Sequence, residues 1–370
     1  MIFRLFFLAL GASLLACTTG APSSSETTAC DGEIHSETLS LKSDEDGRVT
    51  VPVALDGNDD AFMVLTARST GTVSTDGVVD GEGTPVLDWE DWSTGHESLT
   101  NAFFASSDVS VLNWPVRDED GPLAAGDWTV FASTLDNDGY YKGNQAAEVT
   151  VIRRSCSGGT PSIPITIAYA GKLEKDREVT SAVEAAAARW IEIYGEYGVD
   201  ITVDYVSVDM DGSVPEPLPG ADAYTDVYAA IGEGIVVVVG DDVAGNANLY
   251  GEAGGIPGPI LPSPHSVVAV SWLVHAGPDA AFSDEEIEIF AETMAHESGH
   301  FLGLYHPVED GWTYWDALDD TKKCSSESSC ESALSDNLMF PYPVCAARCV
   351  EQVALSTGQV GVILNNVGVR

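Results

Sequence analysis

The chain has 370 residues, 44% hydrophobic and 8% aromatic, which is enough for a sizeable core and, at roughly 150 residues per domain, for two domains. Its 58 Asp and Glu outnumber 16 Lys and Arg, for a formal net charge of −42. Such a surface repels phosphate backbones, so nucleic acid is excluded as a partner, and the composition excludes a disordered or fibrous chain. The acids are spread along the sequence rather than gathered in a tail. They suit solubility in a salty or extracellular setting, and single clusters are open to calcium or to basic substrate segments.

Residues 1–16 read as a targeting segment: Arg4 supplies the positive region, and the apolar run to Ala16 is shorter than the about 20 residues a membrane span needs. The run ends in Leu14-Leu15-Ala16-Cys17, which resembles the lipobox of bacterial lipoproteins. The resemblance implies cleavage before Cys17, diacylglycerol on its sulfur and membrane contact through that lipid anchor alone. An ordinary secretory signal peptide is the alternative. Thr18 stands where an aspartate would favour inner-membrane retention in that family. The implied location is the bacterial cell envelope, as an outer-membrane lipoprotein facing the periplasm or the exterior. Residues 17–29 form a Ser/Thr-rich tether with nothing to bury.

Six cysteines remain: Cys30, Cys156, Cys324, Cys330, Cys345 and Cys349. An even number in an exported chain predicts disulfides. Cys30 and Cys156 flank the first domain and are expected to pair; the other four are expected to form two local bridges, in a pairing the spacing does not choose. Those spacings lack the close Cys-x2-Cys knuckles of a zinc ribbon.

Residues 30–156 predict an all-β sandwich accessory domain. Alternating apolar runs at 48–53, 61–65, 128–132 and 149–152 are separated by turn clusters such as Asp44-Glu45-Asp46-Gly47 and Asp136-Asn137-Asp138-Gly139. The stretch 123–130 resembles the closing hairpin of pre-peptidase-type sandwich modules on secreted proteases. His35 and His96 stand alone and read as structural or surface residues. A Ser/Gly/Pro-rich linker, 157–162, leads to a second domain, 163–370.

In that domain the β-branched run 163–170 predicts a strand. Val179, Val183, Ala186, Ala187, Trp190 and Tyr194 recur at three and four, which predicts a helix over 176–197 with a core-facing stripe. Further strands are expected at 199–208, 235–239 and 266–274, so the layout is α/β. His265 and His275 flank the last of these and read as structural. Ser283-Asp284-Glu285-Glu286 forms a capping box. It opens a helix to about Leu302 that buries Ile287, Phe290, Ala291, Met294 and Ala295.

That helix carries His296-Glu297-Ser298-Gly299-His300, and Gly303 and His306 follow. Residues four apart stack on one helix face, so His296 and His300 can address one ion. Gly303 can take a left-handed conformation, end the helix and turn His306 in as a third nitrogen ligand. Three protein ligands leave a fourth position open, the arrangement of a catalytic Zn2+ that brings a water pKa to about 7. Glu297, next to the first ligand, is the candidate general base. The extended pattern His-Glu-x-x-His-x-x-Gly-x-x-His is far more specific than its first half.

On these residues the second domain resembles the metzincin clan of zinc endopeptidases. The resemblance implies a metzincin-like α/β catalytic domain, with a twisted mixed sheet and an active-site helix, acting on protein or peptide substrates. Asn337-Leu338-Met339-Phe340-Pro341 resembles the clan's Met-turn, with Met339 packed under the metal. The segment 316–321 and the helix start at 355–359 resemble the pappalysin-like branch. Asp316, Asp319 and Asp320 are candidate oxygen ligands for Ca2+ in that segment. The branch places a tyrosine two residues after the Met-turn methionine; here Pro341 holds that position and Tyr342 follows, so Tyr342 is a candidate for oxyanion or substrate contact as well as for packing. This departure, and Pro307 after the third histidine, leave the subfamily open. The loop 254–259 would border substrate in a metzincin. The alternative from another class is a surface binding or adhesion lipoprotein with a relic or structural metal site.

Overall fold

The computed structural model describes residues 32–68, 71–88, 102–103, 109–156, 158–277, 280–309 and 311–370. The targeting segment, Cys17, the tether, Cys30 and His96 lie outside the described residues.

The first half is β-rich. Its strands are β1 (Ile34–Lys42), β2 (Arg48–Leu55), β3 (Asp59–Ala67), β4 (Thr72–Val79), β5 (Pro85–Leu87), β6 (Ala102–Phe103), β7 (Val109–Trp114), β8 (Gly126–Leu135) and β9 (Ala146–Ser155). They form two antiparallel sheets, ordered β1-β9-β3-β7-β6 and β2-β8-β4-β5. β2 alternates strictly between exposed and buried positions, so Val49, Val51 and Val53 form one apolar face while their neighbours meet water. That face joins Phe62 and Val64 of β3 and Val149 and Val151 of β9 in a common core. Phe62 meets Trp128 of β8 edge-on, with ring centroids 5.9 Å apart, so the two sheets touch through large aromatics.

The second half is mixed α/β. Its elements are β10 (Ser162–Tyr169), α1 (Arg177–Gly195), β11 (Asp200–Ser207), β12 (Ser213–Val214), α2 (Asp222–Ile231), β13 (Ile235–Gly240), β14 (Asp242–Val243), β15 (Gly251–Ala253), β16 (Val268–Ser271), α3 (Trp272–Ala276), α4 (Asp284–Phe301), α5 (Glu327–Leu334) and α6 (Thr357–Asn365). The main sheet runs β11-β10-β13-β16-β15, with the first four parallel and β15 antiparallel at the edge. β13 is buried at every residue. Val237 and Val239 face a core shared with α1 and α4, whereas Val236 and Val238 face one covered by Tyr224 and Tyr228 of α2. A parallel sheet with helices on both faces needs this continuous apolar run.

Asp176 caps α1 by accepting from the amides of Glu178 and Val179, a contact worth about 1 kcal/mol. The fully buried Trp190 and Tyr194 of α1 lie against α4, and the Tyr194 hydroxyl donates to Ala295 O at 2.9 Å. The predicted strand over 266–274 is cut short. Ser271 accepts from Val274 N and caps α3, and Trp272 Nε1 donates to Asp241 Oδ1 at 2.8 Å. A capping serine and an indole anchor thus end β16 four residues in. α2 and α5 carry no expectation from the sequence, and both are short, ten and eight residues.

The two halves pack against each other on either side of the predicted linker. Val367, fully buried, inserts among Ala61, Met63, Leu65, Val109, Val111 and Ile152 of the β-rich half. Cys324 pairs with Cys330 and Cys345 with Cys349. Cys156 is disulfide-bonded; its expected partner Cys30 lies outside the described residues. Among the described residues no helix is long and apolar enough to cross a membrane.

Candidate metal centre

α4 opens with the expected capping box between Ser283 and Glu286 and ends at the C-cap Leu302. Gly303 follows at φ +112°, a conformation L side chains avoid, and turns the chain so that His306 faces the helix. The result is a triangle of imidazoles: Nε2 of His306 lies 3.1 Å from Nε2 of His300 and 3.3 Å from Nε2 of His296.

The outer nitrogens decide what the inner ones can do. His296 Nδ1 contacts Leu338 O at 2.7 Å, and His300 Nδ1 contacts Leu304 O at 2.7 Å. His306 Nδ1 contacts Glu309 Oε2 at 2.9 Å. Two carbonyls and a carboxylate accept hydrogen bonds, so each Nδ1 donates and each neutral ring turns a lone pair inward. The inward nitrogens crowd one another, a clash that His296 and His300 do not escape by protonation. Burial, then the charge of His306, pushes His296 down to about 3 against the pull of Leu338 O, and the same causes hold His300 well below the usual histidine range. A cation relieves it. Zn–N bonds of about 2.0–2.1 Å at tetrahedral angles put ligand nitrogens roughly 3.3–3.4 Å apart, close to the spacing here. The donor set therefore fits zinc.

Met339 is fully buried beneath the helix, where a Cβ on Gly299 would come within 2.7 Å of its Sδ. The turn around it is tightly held. Met339 N donates to Asn337 Oδ1 at 2.9 Å, Asn337 Nδ2 donates to Gln359 Oε1 at 2.8 Å, and Leu338 N donates to Ala354 O at 2.8 Å. The turn thus supplies both the floor of the site and the carbonyl that orients His296.

Glu297 stands beside the triangle at a cavity of about 290 Å3, which Tyr250, Gly251, Thr293, Phe340 and Tyr342 also line. Burial, then the charge of Glu252, pushes its carboxyl up to about 8, and the Ala253 amide opposes the shift. A divalent cation nearby acts in the other direction. In the same cavity Glu292 accepts from Gln352 N at 2.8 Å, and burial raises it to about 7.

The remaining expected residues are placed as follows. Tyr342 lines the cavity, and its hydroxyl meets Glu331 Oε1 at 3.3 Å. Asp316 is buried and accepts from Thr321; burial raises it to about 6. Asp320 accepts from Ser356 Oγ at 2.9 Å and Gly358 N at 2.7 Å, so it anchors the start of α6, and Asp319 is exposed. Among the described residues the only group of three or more His, Cys, Asp or Glu able to hold a metal is His296, His300 and His306. The three aspartates are not gathered into such a group. His265 and His275 are buried: His265 Nδ1 meets Pro217 O at 3.1 Å, and His275 donates to Ser271 O and contacts Thr293 Oγ1 at 3.0 Å. The loop 254–259 packs on the end of α4, where Gly258 N donates to Phe301 O at 2.9 Å. Residues 248–251 line the cavity instead.

Glu309 and Gly251 escaped the sequence reading. Glu309 lies three positions after His306, and its signal is an acid within reach of a ligand's outer nitrogen. Gly251 has no side chain to read. Its signal is spatial: a Cβ there would lie 2.8 Å from Glu297 Cγ and 3.1 Å from Thr293 Cγ2. The chain matches no protein-family model and no curated protein sequence.

Proposed function

We propose that the protein is a zinc-dependent endopeptidase of metzincin-like fold, exported and held at the cell envelope by a lipid on Cys17. The observation that carries the reading is the inward-facing Nε2 triangle with Glu297 beside it at an open cavity. A purely structural site has no use for a carboxylate at that place.

His296, His300 and His306 would hold the zinc, which when bound supplies Lewis acidity towards water and the scissile carbonyl. Glu297 takes the proton of the attacking water and returns it to the leaving amine. Tyr250, Phe340 and Tyr342 line the cavity and offer a substrate side chain apolar surface that excludes water. Strand β15 ends its sheet beside the cavity, an edge along which an extended peptide can lie. The binding or adhesion reading keeps the metal but assigns no work to Glu297.

Purified protein without its targeting segment is expected to carry zinc near one equivalent per chain, to hydrolyse casein or a peptide library, and to stop when a chelator removes the metal. Readdition of zinc restores hydrolysis. Zinc-loaded protein that cleaves no peptide in the library would leave the binding reading in possession of the site.

Gly251→Ala is expected to lower kcat about 10- to 100-fold with zinc content unchanged, because the new methyl displaces the Glu297 carboxyl while the three imidazoles stay in place. Steady-state kinetics beside metal analysis checks this. Unchanged kcat would show that the base tolerates the shift.

A further inference from the structure

The β-rich half reaches the metal centre through one buried guanidinium. From this we infer that Arg154 is a positioning residue for zinc: through Asn366 it fixes the turn at 302–304 on which the His300 imidazole rests. The inference depends on the metal-binding part of the reading above and not on peptide hydrolysis.

Arg154 lies near the end of β9 and is only 6% exposed. Its Nε donates to Asp60 Oδ1 at 2.7 Å, which sets the plane of the guanidinium. Its Nη1 donates to Leu364 O at 3.0 Å, to Asn366 O at 2.8 Å and to Val369 O. These carbonyls sit at and beyond the C-terminal end of α6, where backbone acceptors have no helical partner and the helix dipole favours a cation. Asn113 of β7 grips the same segment: Nδ2 donates to Asn365 O at 3.0 Å, and Oδ1 accepts from Val367 N at 2.9 Å. The β-rich half therefore determines where this stretch of backbone lies.

The stretch in turn touches the end of the metal-bearing helix. Asn366 is fully buried; its Nδ2 donates to Leu302 O at 3.0 Å, and its Oδ1 accepts from Gly368 N at 2.8 Å. Leu302 is the C-cap of α4, so its carbonyl would otherwise be unpaired. Two residues on, Leu304 N donates to Gly299 O at 2.9 Å, and Leu304 O receives the His300 Nδ1 proton at 2.7 Å. The route from guanidinium to imidazole has three hydrogen bonds, Arg154 to Asn366 O, Asn366 to Leu302 O and His300 to Leu304 O, joined through Asn366 and the backbone of 302–304. Removing Arg154 leaves two buried carbonyls, of Asn366 and Val369, and the part-buried one of Leu364 short of a donor. It also frees Asn366, so Leu304 O can drift from the nitrogen it orients.

The test is the zinc dissociation constant of the full exported chain, measured by competition with a chromophoric chelator well below the melting temperature. Arg154→Ala is expected to raise the Kd about 10-fold, the low end of the range seen when the group orienting a ligand is itself lost. Arg154→Lys recovers part of this, since an ammonium supplies the charge without the guanidinium fork. Asn366→Asp, nearly the same size but without the donor to Leu302 O, is expected to raise it as well. Val151→Ala, in the sandwich core, lowers the melting temperature and leaves the Kd alone. A wild-type Kd in folded Arg154→Ala, or in Asn366→Asp should the arginine variant not fold, overturns the inference. So does a Val151→Ala protein that weakens zinc as much as Arg154→Ala does. A raised Kd in a protein that cleaves no peptide sustains the inference while removing the endopeptidase reading.

Discussion

Glu297→Gln is expected to keep its zinc and lose peptide hydrolysis by about 100- to 10,000-fold, the usual range for a general base, equivalent to a barrier higher by about 3–5 kcal/mol. Glutamine preserves the side chain's volume beside Gly251, where the Glu297 Cγ already fits closely, so the cavity keeps its shape. The three Nδ1 partners Leu338 O, Leu304 O and Glu309 are untouched, so metal affinity has no reason to change. What disappears is the capacity to accept a proton. The informative comparison is turnover of one peptide by both proteins at matched zinc content. Equal turnover would remove Glu297 from the chemistry. Joint loss of zinc and turnover would reassign it to supporting the site.

Much of this centre was legible because its information is local. His296 and His300 are one helical turn apart, the capping box at Ser283 fixes where that turn falls, and Gly303 is a residue whose backbone freedom predicts a reversal. Met339 was legible for a related reason, a short turn with a recognisable neighbour in Asn337. What stayed hidden depends on groups far apart in the chain or on atoms that are missing. Arg154 acts on Asn366, 212 positions away, and nothing near either residue announces the other. Gly251 and Gly299 matter through the space they leave for Glu297 and Met339. The three aspartates at 316–320 are close in sequence, but Asp316 and Asp320 take separate partners. Their spacing suggests a shared cation, yet Asp316 turns to Thr321 and Asp320 to the start of α6. The strand expected over 266–274 ends at Ser271, because an apolar run looks alike whether it continues or meets a capping serine. At Ser271 the side chain decides.

The largest effect on the metal itself is expected from His306→Ala. Of the three imidazoles, only this one lies outside α4; it is brought in by Gly303 and held on its outer side by Glu309. Without it zinc keeps two protein nitrogens one helical turn apart. The affinity loss should exceed the roughly 100-fold upper range seen when an outer-shell partner alone is lost. A melting experiment separates this from simple damage to the fold. Zinc at 1,000 times its Kd adds about 4 kcal/mol to the stability of the native state, so stripping wild-type protein with a chelator lowers its melting temperature. His306→Ala has no such increment to lose, and chelation should leave its melting temperature unmoved. The metal-free forms should run the other way. In wild type the Nε2 lone pairs face each other at 3.1 and 3.3 Å, and deleting His306 removes both contacts, so metal-free His306→Ala should melt no lower than metal-free wild type. A variant that still binds zinc tightly, with a melting temperature that still falls on chelation, would mean that the metal is held by other residues.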